Sequence, residues 1–452
     1  MEASRSHAVR ASVLVRMRGQ SDAGMSLIEL MAAIVVFGIA ATGIMAGFIA
    51  ASQKTRLDKN RVAASNLVAR ELEIVRNQFN ASSSGPITIA ADPDVYNPNP
   101  LPGGTAGNPL TLDSVPYTVF RRVAWLPAGT GQSPCDGGSS VTYPTLAVNV
   151  SVSWPAMGQV KPVEGNTLLT PPKGILASSS SFVAVKVVGA SGAGQENVPV
   201  TLTGPGGTIT GVTAEDGCAS MLVGTAGSYT ASLSTAGWVD FYGAAAPTKP
   251  VTAAAATIAR IQFNYDRAGS LALTLSTTSG YALPTGLRSV TLANTGLQPL
   301  GVQTRDIGTG GSATLATLWP FSDGYTVWAG SCNQSDPATA GGSRATAIVV
   351  PSNGAASVTR TLAPVQLNVT TATAVPVANA TVTATPISTT NCAVSENPLT
   401  LGVTNASGQL KTSLPAGAWQ IKVTGRSPSP SWPTTPVLLP TSGATTIGVT
   451  VV

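Results

Sequence analysis

Histidine is almost missing from this chain of 452 residues, which has a single one, His7, near the N-terminus. A product that begins after Gly24 would contain none, which excludes Ser-His-Asp and Cys-His nucleophiles and histidine metal sites. Charged residues are also scarce, at 10% of the chain. Apart from the arginines near the N-terminus, they form no basic cluster of the kind that binds a phosphate backbone, so we expect no nucleic-acid partner.

Carboxylates after residue 181 are too scattered to single out a catalytic pair. Most of them adjoin glycine, serine, asparagine or proline, where a carboxylate usually caps the backbone of a turn. They are Glu196, Glu215, Asp216, Asp240, Asp266, Asp306, Asp323, Asp336 and Glu396. No two of them stand out as the acid and base of a glycosidase. We predict that the protein is not an enzyme, binds no metal and needs no cofactor.

One long segment, residues 30–52, has no charged residue. As a helix it would be about 35 Å long, enough to cross a bilayer core of about 30 Å. The small residue Gly24 precedes this segment, whereas the cleavage site of a secretory signal peptide follows its apolar core. We therefore expect residues 1–24 to be removed as a basic leader while the apolar segment stays. Arg10, Arg16 and Arg18 predict that the leader side is cytoplasmic and that the rest of the chain lies outside.

The residues around this boundary, Gly24, Met25 and Glu29, resemble the signal of type IV prepilins and the related pseudopilins. The resemblance implies that a prepilin peptidase cleaves after Gly24 and methylates the amine of Met25, and that Glu29 serves filament assembly. It also implies other pilins and an inner-membrane assembly platform as partners. The sequence departs from the family pattern in starting with Met25 rather than phenylalanine and in lacking a helix-kinking proline, near whose place Gly43 and Gly47 lie.

The position of Glu29 at the edge of an apolar run has a physical interpretation. A lone carboxylate in hydrocarbon costs several kcal/mol unless it is paired or protonated. By the resemblance, its partner is the Met25 amine of a neighbouring subunit, so that Glu29 favours entry into a filament. The alternative is an interfacial glutamate near the headgroups of a simple membrane anchor.

The region after the apolar segment predicts a helix packed on a small sheet. Apolar residues recur at helical spacing, which extends one helix over residues 25–80; they are Val68, Leu72, Val75 and Phe79. In the head, residues 81–165, we predict a loop at 93–109 and strands at 117–125 and 146–154, with Trp125 and Trp154 in the core.

The remainder predicts a linker at 166–181 followed by β-sandwich repeats at 182–266, 267–363 and 364–452. The strand residues Val200, Val290 and Val382 recur at intervals of 90 and 92 residues. A glycine followed closely by an aromatic residue recurs in step, as in the pairs Gly227 and Tyr229, Gly324 and Tyr325, and Gly417 and Trp419. The predicted fold is α+β and then all-β, with Ig-like or prealbumin-like sandwiches.

These repeats resemble carboxypeptidase regulatory-like or Cna-B-like domains of bacterial surface proteins. Some Cna-B domains cross-link a first-strand lysine to a last-strand asparagine, and Lys186 and Asn264 lie in such strands. The other repeats have Thr274 and Asn368 in place of Lys186. We therefore interpret Lys186 as a residue of a solvated sheet face.

Four cysteines, an even number, all follow the apolar segment and so lie on the oxidising side of the membrane. They are Cys135, Cys218, Cys332 and Cys392. Disulfides are expected, and three connectivities are open. We favour Cys135 with Cys218 and Cys332 with Cys392, which would join the head to the first repeat and the second repeat to the third.

Together these features predict a minor pilin-type subunit of a type IV pilus-like filament, at or near the tip, for assembly priming or adhesion. The size of the chain favours "minor", because major pilins of the family are usually much shorter. The precursor would be membrane-inserted with its C-terminal domains outside, and the mature form would lie in a surface filament. Two alternatives stay open: a single-pass membrane-anchored surface adhesin, and a pseudopilin of a type II secretion-like system.

Overall fold

The computed structural model describes residues 26–126, 133–137, 144–172, 179–297, 301–331, 335–387, 398–424, 437–439 and 443–451. The predicted cleavage and methylation residues, Gly24 and Met25, lie outside these ranges, as do Cys332 and Cys392. The described residues form a long helix, a short helix and a series of small β-sheets.

The long helix α1 spans Leu27–Ala81 and confirms the single N-terminal helix predicted from the apolar run and the helical stripe. It ends where Ser82 adopts an extended backbone. A second helix, α2 at Gly85–Ala91, follows after three residues and was not predicted. Pro86 lies in its first turn, where the missing N–H of proline costs no hydrogen bond, so the Gly-Pro pair begins α2.

The head is an antiparallel sheet of order β1-β3-β4-β5, to which β2 adds by pairing with β3. Its strands are β1 (Asp94–Tyr96), β2 (Leu110–Leu112), β3 (Val115–Leu126), β4 (Thr145–Ser153) and β5 (Val163–Leu169). Alternate residues of β3 and β4 are buried, which gives the sheet one apolar face. Trp125 and Trp154 lie in the core as predicted.

Helix α1 packs directly on the edge strand β5. A side chain at Gly165 would place its Cβ only 2.5 Å from Val68 Cγ1, so the close approach requires glycine there. Of the predicted stripe, Val68, Val75 and Phe79 are buried and Leu72 is partly buried. The helix and the sheet therefore bury each other's apolar faces, as expected.

Two local predictions for the head were wrong. Strand β1 lies inside the segment 93–109 that was predicted to be a loop, because three of its residues pair with β3. Strand β5 extends into the predicted linker, since the long strand β4 offers partners as far as Leu146, which pairs with Leu169. The linker also ends one residue early, at the start of β6.

The chain after the head forms three successive sandwiches, each with two main sheets, and the first also has a two-stranded ribbon. The first has β6 (Ser181–Val188), β7 (Pro199–Gly204), β8 (Gly207–Val212), β9 (Cys218–Val223), β10 (Gly227–Leu233), β11 (Trp238–Val239), β12 (Thr248–Ala253), β13 (Ile258–Asn264) and β14 (Asp266–Arg267). The second has β15 (Gly269–Ser276), β16 (Ser289–Ala293), β17 (Val302–Asp306), β18 (Ser312–Leu318), β19 (Thr326–Ala329) and β20 (Ala355–Thr361). The third has β21 (Ala363–Thr371), β22 (Thr381–Pro386), β23 (Leu399–Val403), β24 (Gln409–Leu414), β25 (Gly417–Thr424), β26 (Val437–Leu439) and β27 (Thr445–Val451).

The three sandwiches share one topology. In each, the first strand is the centre of a three-stranded sheet, with orders β13-β6-β9, β18-β15-β20 and β24-β21-β27. In each, the first strand pairs in parallel with a later strand, namely β6 with β13, β15 with β20 and β21 with β27. The opposite sheets have the orders β12-β10-β7-β8, β17-β16-β19 and β23-β22-β25-β26.

The aromatic residues that mark the repeats occupy equivalent buried places. Tyr229 Oη donates to the carbonyl of Thr225 at 2.7 Å, and Tyr325 Oη donates to the carbonyl of Trp319 at 2.7 Å. Trp419 Nε1 donates to the carbonyl of Pro415 at 2.9 Å. Each large ring is thus buried with its one polar atom satisfied by a carbonyl a few residues earlier, which explains the recurrence of the pattern.

Candidate functional site

The N-terminal half of α1 exposes apolar side chains all around the helix. The exposed fraction of its large hydrophobic side chains ranges from 48% at Leu30 to 78% at Leu27. The first buried residue of the helix is Asn60. In the part of the chain that the structure describes, α1 is the helix long and apolar enough to cross a membrane. A helix that is apolar on every side needs a bilayer or other helices around it.

Glu29 lies in the first turn of α1 and takes part in its cap. Its Oε2 accepts a hydrogen bond from the backbone N of Ser26 at 3.4 Å, and Ser26 Oγ accepts one from Ile28 N at 3.4 Å. This capping box satisfies two N–H groups that have no partner within the helix. The carboxylate also lies at the positive end of the helix dipole. Its side chain is exposed, and Oε1 has no partner among the described residues, so it remains available to a cation.

The C-terminal half of α1 is held to the head by a buried ion pair that the sequence analysis missed. Glu71 Oε1 lies 3.4 Å from Arg121 Nη1 on β3, and both side chains are almost fully buried. Asn99 Nδ2 donates to both carboxylate oxygens, at 2.9 and 3.1 Å. A signal for this contact existed, because Glu71 interrupts the apolar stripe between Val68 and Val75.

Other polar contacts tie the middle of α1 to the head. Tyr117 Oη donates to Asn60 Oδ1 at 3.3 Å, in a buried position. The Arg70 guanidinium donates to the carbonyls of Asn99 and Pro100 at 2.9 Å each. The hydrogen bond from Lys59 to Asp113 raises the pKa of the Lys59 ammonium above its ordinary value.

The head is also joined covalently to the first sandwich. Cys135 forms a disulfide with Cys218 at the start of β9. The predicted partners Cys332 and Cys392 lie outside the described residues. Beside the disulfide, Lys186 Nζ contacts Asp136 Oδ2 at 3.0 Å, and Arg260 Nε donates to the carbonyl of Pro134 at 2.8 Å.

The interpretation of Lys186 as a solvated face residue was therefore wrong. Its side chain is mostly buried and its ammonium pairs with the head residue Asp136. In the parallel pair of β6 and β13, Lys186 lies opposite Gln262 rather than Asn264. The sequence could not reveal this, because the head loop that covers β6 comes fifty residues earlier in the chain.

A second polar contact spans the same junction. Arg122 on β3 donates from Nε and Nη2 to the carboxylate oxygens of Asp94, at 2.9 and 3.0 Å, and its Nη1 lies 3.6 Å from Glu196 Oε1. The hydrogen bonds that Arg122 donates to Asp94 are the main cause of the raised pKa of the Arg122 guanidinium. Apolar packing adds to these contacts, since the Trp125 and Phe182 ring centroids lie 6.0 Å apart.

The prokaryotic N-terminal methylation motif matches residues 20–45. The chain carries a prepilin-type methylation motif. The matched segment includes Gly24, Met25 and Glu29 and runs into the exposed apolar half of α1. The roles of these three residues stay predictions. Within the described residues, no group of three His, Cys, Asp or Glu side chains could hold a metal ion.

Several solved structures are similar to this motif-bearing chain. The TIE protein of Bacillus anthracis is 15% identical with a TM-score of 0.20, and the match covers 79% of this chain and 74% of that one. GBS52, the minor pilin of Streptococcus agalactiae, is 12% identical with a TM-score of 0.19, and the match covers 40% of this chain and 94% of that one. BcpA, the major pilin subunit of Bacillus cereus, is 10% identical with a TM-score of 0.18, and the match covers 60% of this chain and 99% of that one. We draw no functional conclusion from these similarities. No curated protein matches the chain.

Proposed function

We propose that this chain is a non-catalytic structural subunit of a type IV pilus-like filament, inserted through the N-terminal half of α1. The observation that carries the proposal is the apolar, exposed helix surface directly behind the capping box of Ser26 and Glu29. In a bilayer this surface would face lipid in the precursor. In a filament it would face the helices of other pilins.

Glu29 would select the filament over the bilayer. Its carboxylate would pair with the methylated amine of Met25 in a neighbouring subunit, after a prepilin peptidase has removed residues 1–24. An inner-membrane assembly platform would supply the machinery. The ion pair of Glu71 and Arg121 joins α1 to the head, and the disulfide joins the head to the first sandwich. These contacts favour a filament role, because a force applied to the helix would be transmitted to the head.

We propose a minor subunit at or near the filament tip. Three sandwiches follow the head, and a subunit of this bulk would crowd its neighbours if it repeated along the shaft. A tip position avoids that crowding and displays the sandwiches for assembly priming or adhesion. The alternatives are a membrane-anchored adhesin, whose α1 stays in lipid, and a pseudopilin of a type II secretion-like system.

The replacement Glu29→Leu separates a filament subunit from an anchor. It removes the pairing carboxylate while making the segment more apolar, so membrane retention should be unchanged or stronger. The amount of this chain in sheared filaments, relative to the membrane pellet, should fall. The matched control is Glu73→Leu, the same change at an exposed position in the C-terminal half of α1, where Glu73 pairs with Arg76 of the same helix. Equal filament-to-membrane ratios for wild type and Glu29→Leu would overturn the pairing role and favour the anchored adhesin.

A further inference from the structure

A cleft of about 230 Å³ lies where the second sandwich meets the third. One wall comes from β19, which contributes Trp328, and from the end of β20, which contributes Arg360. Arg344 lies at the cleft in the segment between β19 and β20. The opposite wall is apolar and comes from the third sandwich, at Leu414, Pro415 and Ala416. The cleft is therefore built by two sandwiches and has two guanidinium groups on one side.

Only one of the two arginines, Arg344, has a carboxylate partner among the described residues. Arg344 donates to the buried Asp336 from Nε, at 3.1 Å to each oxygen, and from Nη2 at 2.6 Å. Its guanidinium carbon lies 5.1 Å from the centre of the Trp328 ring, which holds its plane in place. Nη1 of Arg344 has no hydrogen bond to any residue that the structure describes. The guanidinium of Arg344 is thus held in one orientation, while its Nη1 donor is still available for a ligand.

Arg360 has no carboxylate partner among the described residues. It donates only to backbone carbonyls, from Nε to Val327 at 2.9 Å, from Nη2 to Thr346 at 3.2 Å and from Nη1 to Thr359 at 3.5 Å. Burial lowers the pKa of the Arg360 guanidinium below its ordinary value, since burial penalises the charged form. The cleft therefore carries one positive charge more than it neutralises. An anion in the cleft would offset the cost of burying that charge.

We propose that this cleft binds a small ligand through a carboxylate group, held by Arg360 and Arg344. A guanidinium presents two parallel N–H groups that match the two oxygens of a carboxylate. The apolar wall opposite would contact the carbon part of the ligand, which a bare inorganic ion lacks. Small-molecule sites usually measure about 300–1,000 Å³. The cleft, at about 230 Å³, is smaller and therefore suits one acidic sugar ring or one terminal amino-acid residue.

The test uses the full chain in detergent and isothermal titration calorimetry with two pairs of probes. One pair is glucuronate and its uncharged counterpart glucose, and the other is acetyl-alanine and acetyl-alanine amide. We expect binding of at least one carboxylate probe and none of its uncharged counterpart. Binding of glucuronate alone would identify an acidic sugar as the source of the carboxylate, and binding of acetyl-alanine alone would identify a peptide terminus.

Two variants and a control locate the binding. Arg360→Met should lower the affinity about tenfold or more, the value of a lost charged hydrogen bond. Since Arg360 also bonds to backbone carbonyls, Ser343→Leu serves as a second variant: Ser343 is exposed at the cleft, and a larger side chain there should block the ligand without removing either arginine. Arg288→Met removes a surface arginine of the same sandwich, paired with Asp306, and should leave binding unchanged.

The proposal is independent of the filament role and would fail separately from it. It is overturned if neither carboxylate probe binds, if the uncharged counterparts bind as tightly, or if Arg360→Met and Ser343→Leu both bind like the wild type. Loss of binding in Arg288→Met equal to that in Arg360→Met would likewise overturn it, because a general charge effect would then explain the result.

Discussion

The carboxylate of Glu71 on α1 and the guanidinium of Arg121 on β3 form an ion pair of 3.4 Å beneath the head sheet. Both side chains are almost fully buried, and Nε of Arg121 has no hydrogen-bond partner among the described residues. This ion pair adds a directional contact with one favourable position to the apolar packing of Val68 against Gly165. We infer that it sets the register of the helix against the head, a role that buried polar groups have in other helical contacts.

Removing one member of this pair should cost more than removing both. Glu71→Leu leaves Arg121 as an uncompensated buried charge and should destabilise the head by about 3–5 kcal/mol. The double variant Glu71→Leu, Arg121→Leu should recover much of that loss. Hydrogen exchange of the β3 amides, followed by mass spectrometry, measures the effect locally, which matters because a chain of several domains does not unfold in two states.

A matched surface variant serves as the control for this experiment. Glu73→Leu breaks an exposed pair with Arg76, at 3.7 Å, and should change the protection of β3 by less than about 1 kcal/mol. If the single variant Glu71→Leu and the double variant lose protection equally, the buried charge is not the cause and the interpretation fails.

Leader removal is the second prediction. Gly24→Asp should block cleavage and leave a membrane-bound product that retains residues 1–24, whereas the wild-type mature chain should begin at a methylated Met25. Mass spectrometry of the N-terminal peptide distinguishes the two. A wild-type chain that begins at any other residue would contradict the predicted processing.

The third prediction concerns the cysteines. Peptide mapping without reductant should find Cys135 linked to Cys218 and no free thiol at Cys332 or Cys392. Replacing Cys135 and Cys218 together by serine should destabilise the junction of head and first sandwich by about 2–4 kcal/mol, because the disulfide closes a long loop. Limited proteolysis at the junction measures this loss. Alkylation of all four thiols in unreduced protein would contradict the prediction that the cysteines lie on the oxidising side of the membrane and form disulfides.

The fourth prediction is that the buried phenol of Tyr325 makes the protein less stable at alkaline pH. Burial raises the pKa of its phenol well above the ordinary value near 10, so the folded state keeps the proton. Above about pH 10 the unfolded chain ionises while the folded chain does not, and the free energy of unfolding therefore falls as the pH rises. Below that pH both states are protonated and Tyr325 contributes no pH dependence.

Calorimetric melting of the full chain between about pH 8 and pH 11 tests this sign, measured on the melting transition that Tyr325→Phe shifts. Tyr325→Phe should lower stability by about 1 kcal/mol at neutral pH, through the lost bond to Trp319, and should flatten the decline in alkali. Tyr242→Phe, at a ring that is half exposed, is the control and should leave the decline as in the wild type. An alkaline decline of equal slope in Tyr325→Phe would exclude this tyrosine as its source.

Much of the fold could be predicted because its signals are local. The uncharged run, the stripe of Val68, Val75 and Phe79, and the alternation around Val148 each report the side of an element that must be buried. The recurring Gly-aromatic pairs were visible for the same reason, since Tyr229, Tyr325 and Trp419 each bond to a carbonyl only a few residues earlier.

Contacts between distant segments were not predictable in this way. Lys186 reads as a surface residue in its own strand, and only the arrival of Asp136 from the head makes it a buried partner. Likewise, Arg344 and Arg360 are ordinary surface arginines in sequence, and the third sandwich turns the space beside them into a cleft.

The sequence by itself determined the membrane-competent helix, the methylation motif ahead of it and the succession of sheets, because periodicity and the order of charged and apolar residues act along the chain. Only the tertiary structure decided which polar groups would meet: Glu71 with Arg121 in the core, Lys186 with the half-exposed Asp136, and Arg360 with no carboxylate among the described residues. The physical reason is that the cost of burying a charge depends on what lies within a few ångströms of it, and those neighbours come from segments that the chain order keeps far apart.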